Sequence, residues 1–160
     1  MAIALLTLAL VGTLSFLWTI LLGYQVGATV TVGRHFLIAM MSTLILVMAH
    51  SFIMFFLIAT GVELKEMEKE RGWGDSFRRR TIAMKGQVFG VMTLAILLVI
   101  AQFVLGAAAH TRAIPVWIHN ALAWITWLVC VLALWREYLV LGDNNRLIDE
   151  AARRRAGQQT

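Results

Sequence analysis

Four long apolar runs constrain this chain more than any other feature of its sequence. They cover roughly residues 3–24, 36–62, 86–109 and 115–141. A helix needs about 20 apolar residues to cross a bilayer, and each run provides them. In lipid an isolated span must satisfy its own backbone hydrogen bonds, which favours helix. The sequence therefore predicts an all-α, integral membrane four-helix bundle, a single transmembrane domain over 1–160 with a cytoplasmic tail at 142–160.

The composition agrees with a chain whose surface is covered by lipid. Hydrophobic residues make up 60% of the sequence and charged residues 14%, whereas soluble domains carry about 25% charge. The first run has no basic segment before it and no A-x-A cleavage site after it, so it is predicted to be a retained helix. Cys130 is the only cysteine, which excludes an intrachain disulfide, and it is predicted to be a packing residue.

The distribution of charge predicts the orientation of the bundle. Apart from Arg34 and Arg112, every charged residue lies in 63–85 or 136–155. Because cytoplasmic loops are enriched in Lys and Arg, the N-terminus, the charged loop between helices 2 and 3 and the C-terminus are predicted to be cytoplasmic. The expected location is a cytoplasmic (inner) membrane of the bacterial type.

Two basic clusters, Arg78–Arg80 and Arg153–Arg155, flank the predicted spans. Such clusters near helix ends are typical of contact with anionic lipid headgroups. The expected partners are therefore the lipid bilayer and other membrane subunits or further copies of this chain, and not nucleic acid.

The four histidines are the candidate cofactor and metal ligands. His35, His110 and His119 lie at the predicted external boundary, whereas His50 lies about 22 Å further along helix 2, near mid-membrane. Ionisable residues inside a membrane are costly and are therefore functional candidates. Neutral imidazole binds metals, including haem iron, and can also relay protons.

Side-chain periodicity predicts which faces point into the bundle. One narrow stripe of helix 4 is formed by His119, Ala123, Thr126, Cys130, Ala133 and Glu137. Small and polar residues favour contacts between helices, so His119 is expected to face the bundle interior. A face of helix 2 is shared by His35, Ala39, Ser42, Leu46 and Ala49. On helix 3, Gly86 and Gly90 form a GxxxG pattern that predicts a close helix crossing.

Histidines on separate helices at matched depth resemble the pattern of four-helix b-type cytochromes and of the membrane anchors of respiratory dehydrogenases. The resemblance covers mainly helices 2 to 4. It implies haem b held by His35 with His119 or His110 near the external face, with His50 as a ligand of a deeper haem. The polar residues nearby are candidate contacts for a quinone or an anion: Arg34, Gln102, Arg112 and Asn120.

Structural alternatives remain open for these residues. The His50 ring could bond a backbone carbonyl or one of three hydroxyl groups, those of Ser42, Thr93 and Thr126. Met40 and Met41 beside His35 would suit copper. Glu63 and Glu137 stand at the inner ends of helices 2 and 4 and are predicted to be solvated interface residues.

These interpretations lead to three candidate functions. The first is a b-type cytochrome-like electron-transfer protein, at most an electron-transfer subunit of an oxidoreductase, that exchanges electrons with quinone or an external partner. The second is a cofactor-free accessory or scaffold subunit of a larger respiratory-type membrane complex. The third is proton or metal transport, which the absence of a mid-membrane acidic residue and of an internal repeat disfavours.

Overall fold

Residues 1–158 of the chain are described by a computed structural model, in which short loops join four helices. The helices are α1 (Ala2–Gly23), α2 (Val32–Arg71), α3 (Ser76–His110) and α4 (Val116–Gly157). The described residues contain no β-strand. All four helices are long and apolar enough to span a membrane. The prediction of an all-α protein with four membrane-length helices is confirmed.

Local signals in the sequence explain where the helices begin and end. The hydroxyl of Thr31 accepts a hydrogen bond from the Arg34 backbone N–H and caps α2. Gly72 ends α2 in the left-handed region, with φ 64°, where a residue without a Cβ is least strained. Pro115 is the N-cap of α4, with its φ fixed by the ring at −62° and an extended ψ of 136°, so the helix begins at the next residue.

The helices pack as a square in which each neighbours the next. α1 and α3 each contact both α2 and α4, and α2 also approaches α4 across the diagonal. The short α1–α2 and α3–α4 loops lie at one end, the short-loop end. The N-terminus, the α2–α3 turn and the end of α4 lie at the other, the charged end. α2 and α4 therefore run in the same direction on opposite corners of the bundle.

The helices extend beyond the apolar runs at the charged end. α2 has 40 residues and α4 has 42, so the predicted loop and tail are largely helical and α4 continues through the tail to Gly157. Four buried residues of the extensions belong to an apolar core that continues into the apolar runs: Leu64, Phe77, Leu147 and Ala151. Trp73 closes this core, since its Nε1–H donates to Gln158 Oε1 at 3.0 Å and the Arg154 guanidinium lies 5.1 Å from its ring centroid.

The GxxxG pattern on α3 does not mark a helix crossing, contrary to the prediction. Gly86 and Gly90 are exposed, and a Cβ added to either would meet no other atom within 4 Å. The close approach occurs instead at Gly12 on α1, where an added Cβ would lie 3.0 Å from Leu46 of α2.

Candidate functional site

Polar side chains line the diagonal between α2 and α4 at several levels. From the short-loop end they are His35 and His119, then His50 and Glu137, then Thr60 and Asn144. Within each pair one residue comes from α2 and the other from α4. Because the two helices run in parallel, the number of residues that separates the two members is nearly the same in every pair. The diagonal is therefore the polar axis of a largely apolar bundle.

The central level holds a buried His–Glu contact that we call the His50–Glu137 pair. His50 Nδ1 and Glu137 Oε1 are 2.5 Å apart, and both side chains are 0% exposed. The ring thus bonds a carboxyl group rather than the carbonyl or hydroxyl groups considered from sequence. The prediction that Glu137 is solvated is wrong. Its neighbour Arg136 is exposed, which made the end of the apolar run look like an interface, but the helical stripe continues through Glu137.

The His50–Glu137 pair has two polar atoms with no partner in the described chain, His50 Nε2 and Glu137 Oε2. An ion pair without water must offset a desolvation cost of several kcal/mol per ion. A His and a carboxyl group can avoid much of that cost when the proton lies on the carboxyl group, since neither side chain then carries a full charge. This arrangement can hold and transfer a proton, and it leaves one imidazole nitrogen able to bind a further group.

At the short-loop end, the His35 and His119 rings come near enough to interact electrostatically. Both side chains are half-buried. The Gln102 amide nitrogen lies 2.9 Å from His119 Nδ1 and 3.1 Å from the His119 carbonyl oxygen. His35 Nδ1 is buried without a hydrogen-bond partner in the part of the chain that is described. The structure therefore brings together two of the three histidines predicted for this level.

Two glycines allow these rings to pack against the neighbouring helices. A Cβ on Gly23 of α1 would lie 3.3 Å from His35 Cε1, and a Cβ on Gly106 of α3 would lie 3.2 Å from His119 Cε1. Both distances are tighter than ordinary van der Waals contact. Each glycine thus leaves the space that its imidazole occupies.

Apart from Gln102, the other polar residues predicted for this level form no hydrogen bond between their side chains and the two rings in the described chain. His110 is exposed at the end of α3, and Arg34 and Arg112 are exposed near the short loops. Arg112 adopts a positive φ of 59° in the α3–α4 turn. Asn120 is partly buried on α4.

The structure gives more direct evidence about a metal-ion site than about a haem site. Among residues 1–158, no three His, Cys, Asp or Glu side chains converge in a group that could hold a metal ion. Met41, considered from sequence with His35 for copper, is 53% exposed on the outside of the bundle. A haem iron is held by one or two protein side chains, so the two imidazoles of His35 and His119 would be enough for haem although they are too few for a three-ligand metal site.

Several buried polar contacts were not predicted. Thr60 Oγ1 donates to Asn144 Oδ1 at 3.0 Å, and Thr19 and Ser42 share a hydrogen bond of 3.0 Å between α1 and α2. The seven-residue spacing of Cys130, Glu137 and Asn144 along α4 was the available signal, because it extends the buried stripe past the apolar run.

The chain has no match among known proteins in three comparisons. No protein-family model matches it, and neither a curated protein nor a solved structure does. The site geometry therefore carries the functional assignment.

Proposed function

We propose that the chain is a membrane electron-transfer protein, or the electron-transfer subunit of an oxidoreductase, that binds haem b between His35 and His119. The observation that carries this proposal is the approach of two imidazoles from opposite corners of the bundle at one level. His35 and His119 would hold such a group through their ring nitrogens, since neutral imidazole binds haem iron. When bound, haem b supplies one-electron chemistry at its iron.

Small residues surround the two histidines. Gly23 and Gly106 let the rings lie deep against α1 and α3, and the neighbouring residues Ala39, Ser42 and Ala123 are small. The half-buried position of both rings suits a flat group that enters from the edge of the bundle. Haem contributes apolar surface, so lipid-facing walls would favour its retention.

Gln102 has a defined role in this proposal. Its amide nitrogen lies 2.9 Å from His119 Nδ1 and 3.3 Å from His119 Nε2, so it contacts both nitrogens of the ring. Gln102 Oε1 is buried without a partner among the described residues. Turning the amide would let Oε1 accept from Nδ1–H and leave the Nε2 lone pair free, and a ligating imidazole needs that tautomer.

The orientation and partners are part of the same proposal. The excess of basic residues at the charged end favours a cytoplasmic location for that end, which puts His35 and His119 near the external face of an inner membrane. Exposed Arg34 and Arg112 lie near this end and could contact a quinone headgroup or an anionic redox partner.

The experiment is an absorption spectrum of the purified protein with a pyridine haemochrome assay, after expression with added haem precursor. Wild type is expected to show a haem band that His35→Ala and His119→Ala both lose. His110→Ala is the matched control, because His110 is exposed at the end of α3, and it should keep the band. A colourless wild type, or a band that survives both substitutions, would contradict the proposal.

A cofactor-free accessory subunit is the second candidate. A shallow apolar groove between α1 and α4 carries Trp135 and Tyr138, each 59% exposed. Aromatic residues on an outer face suit lateral packing against another membrane helix. A haem-free preparation in which Trp135→Ala changes the oligomeric state in detergent would support this function over electron transfer.

A further inference from the structure

The Lys85 side chain lies against the backbone of α2 near the charged end of the bundle. A Cβ added to Gly61 would lie 2.8 Å from Lys85 Nζ and 3.6 Å from Thr81 Cβ. Gly61 is buried and Lys85 is partly buried. The Lys85 ammonium group has no hydrogen bond or ion pair with the residues that the structure describes. Because charged groups removed from water are ordinarily paired, this ammonium group points to an anionic ligand.

The extension of α2 has a basic side and an acidic side. Two contacts orient this helix, since Gly61 faces Lys85 of α3 whereas Thr60 donates to Asn144 of α4. With 3.6 residues per turn, Lys65 lies on the α3 side next to Gly61, and Lys69 follows Lys65 one turn later. The side turned away from α3 carries three acidic residues: Glu63, Glu66 and Glu70.

The side of α3 that faces α2 is also basic. Lys85 marks this side through its contact with Gly61, and Arg80 marks the α4 side because its Nη1 donates to Glu150 at 2.7 Å. Arg78 precedes Lys85 by close to two full turns, so it lies on the same side as Lys85. α3 contains no acidic residue. The α2–α3 boundary at the charged end is thus lined by four cations, which we call the basic seam: Lys65, Lys69, Arg78 and Lys85.

The four cations of the basic seam have no ion pair among residues 1–158. The ion pairs in that part of the chain join His50 to Glu137, Arg80 to Glu150 and Arg146 to Asp143. The carboxylate of Glu68 is buried nearby, but both of its oxygens accept from backbone N–H groups, those of Phe77 and Arg78. The charge of the basic seam is therefore not balanced by acidic side chains of the described chain.

The basic seam begins at the edge of the apolar runs. Exposed apolar side chains border it on the membrane side, with Val62 48% and Ile82 56% exposed. Lys65 lies about 4.5 Å beyond Val62 along α2, and Lys85 lies one residue outside the apolar run of α3. A bilayer is about 40–45 Å thick with a hydrocarbon core of about 30 Å, so each headgroup layer measures about 5–8 Å. The two lysines therefore lie at the depth of lipid phosphates.

We propose that the basic seam binds the headgroup of an anionic phospholipid, with Lys65 and Lys85 contacting its phosphate oxygens. Lys69 and Arg78 lie further from the membrane and contact the outer part of the headgroup. Lysine binds phosphate as a point charge, and basic pockets between membrane helices bind anionic lipid headgroups. The apolar border favours a lipid over a free phosphate ester, because it offers surface to the acyl chains. The site is separate from the histidines assigned to haem and does not depend on haem being bound.

The experiment is native mass spectrometry of the full chain in detergent, titrated with dioleoylphosphatidylglycerol or with dioleoylphosphatidylcholine. We expect wild type to bind the anionic lipid at least about tenfold more tightly than the zwitterionic lipid. Lys65→Ala combined with Lys85→Ala should weaken binding of phosphatidylglycerol by at least about tenfold, because the variant loses the two cations at phosphate depth. Equal affinity of wild type for the two lipids would overturn the proposal.

Arg153→Ala combined with Arg155→Ala is the matched control. It removes the same charge from exposed residues of α4 that lie outside the basic seam, and it should bind phosphatidylglycerol within about twofold of wild type. Equal weakening in the two double variants would show general charge attraction and overturn the site. Glycerol phosphate, which has no acyl chains, should compete poorly with phosphatidylglycerol, and displacement of the lipid by an equal concentration would overturn the assignment to a lipid.

Gly61→Ala tests the basic seam without changing any charge, and it serves if the lysine variant fails to fold. The added methyl group would lie 2.8 Å from Lys85 Nζ, so the ammonium group must move. The fold should tolerate this change, because Nζ is the end of a flexible side chain. We expect phosphatidylglycerol to bind about threefold more weakly, and unchanged binding would show that the position of the Lys85 ammonium group is unimportant and would contradict the proposal.

Discussion

At the scale of single residues, the His50–Glu137 pair shows what the periodicity of one helix can predict and what it cannot. The stripe on α4 predicts that Glu137 faces inward, yet its position beside Arg136 suggested a wet interface. Burial decides between the two, because both members of the pair are 0% exposed. A partner 87 residues away in sequence could not be chosen from periodicity, which orients a side chain but does not set the register between helices.

Removing one member of the pair is expected to cost more than removing both. Glu137→Gln or His50→Gln leaves a buried polar group with a lost or weakened partner and should destabilise the protein by about 3 kcal/mol. The double variant should lose less than the sum of the two. Unfolding in detergent, followed by circular dichroism, measures the effect, and strictly additive losses would show that the two side chains do not interact.

Glycine positions on α3 should respond in opposite directions to the same substitution. Gly106→Ala puts a methyl group against the His119 ring and should destabilise the protein by about 1 kcal/mol. Gly90→Ala adds a methyl group in open space and should stabilise the helix by up to about 1 kcal/mol. Thermal unfolding of the two variants provides the comparison, and an equal gain in both would refute the close contact.

At the scale of secondary-structure elements, the beginning of α3 depends on α2. Asp75 precedes α3 but makes no capping hydrogen bond. Glu68 of α2 does so instead, accepting from the Phe77 N–H at 2.6 Å and from the Arg78 N–H at 2.9 Å. A carboxylate at a helix N-terminus also interacts favourably with the helix dipole. One side chain thus caps α3 and fixes the α2–α3 turn.

Loss of the Glu68 cap should lower the stability of the protein measurably. Glu68→Ala removes both acceptors from buried backbone donors and should destabilise the protein by about 2 kcal/mol. The control is Glu66→Ala, because Glu66 is exposed on the same helix and should leave stability nearly unchanged. Chemical unfolding in detergent compares the variants. If both behave alike, the cap is unimportant.

At the scale of the whole molecule, the apolar runs predicted four helices but not their full length. The runs end at the first charges, whereas the buried positions continue along α4 through Leu147 and Ala151. Charged residues between those positions lower the mean hydropathy of the segment, so the mean does not reveal the buried positions. The same average could not place the His35–His119 contact or exclude His110 from it, because both depend on which faces meet.

The orientation of the bundle is testable in a Cys130→Ala background. Ala28→Cys at the short-loop end should react with a membrane-impermeant maleimide added to intact spheroplasts. Lys69→Cys at the charged end should react only after the membrane is opened, because the basic excess at that end favours the cytoplasm. Both positions are exposed, so the inverse labelling pattern would reverse the proposed topology.

The diagonal arrangement has a consequence for motion. The His50–Glu137 and Thr60–Asn144 hydrogen bonds join the same two parallel helices, and His35 and His119 lie on those helices within electrostatic range of each other. A slide of α4 along α2 by one helical turn, about 5 Å, would part all three couples together. The hydrogen bonds at the two lower levels therefore depend on one register between α2 and α4, and a change of that register would break both of them.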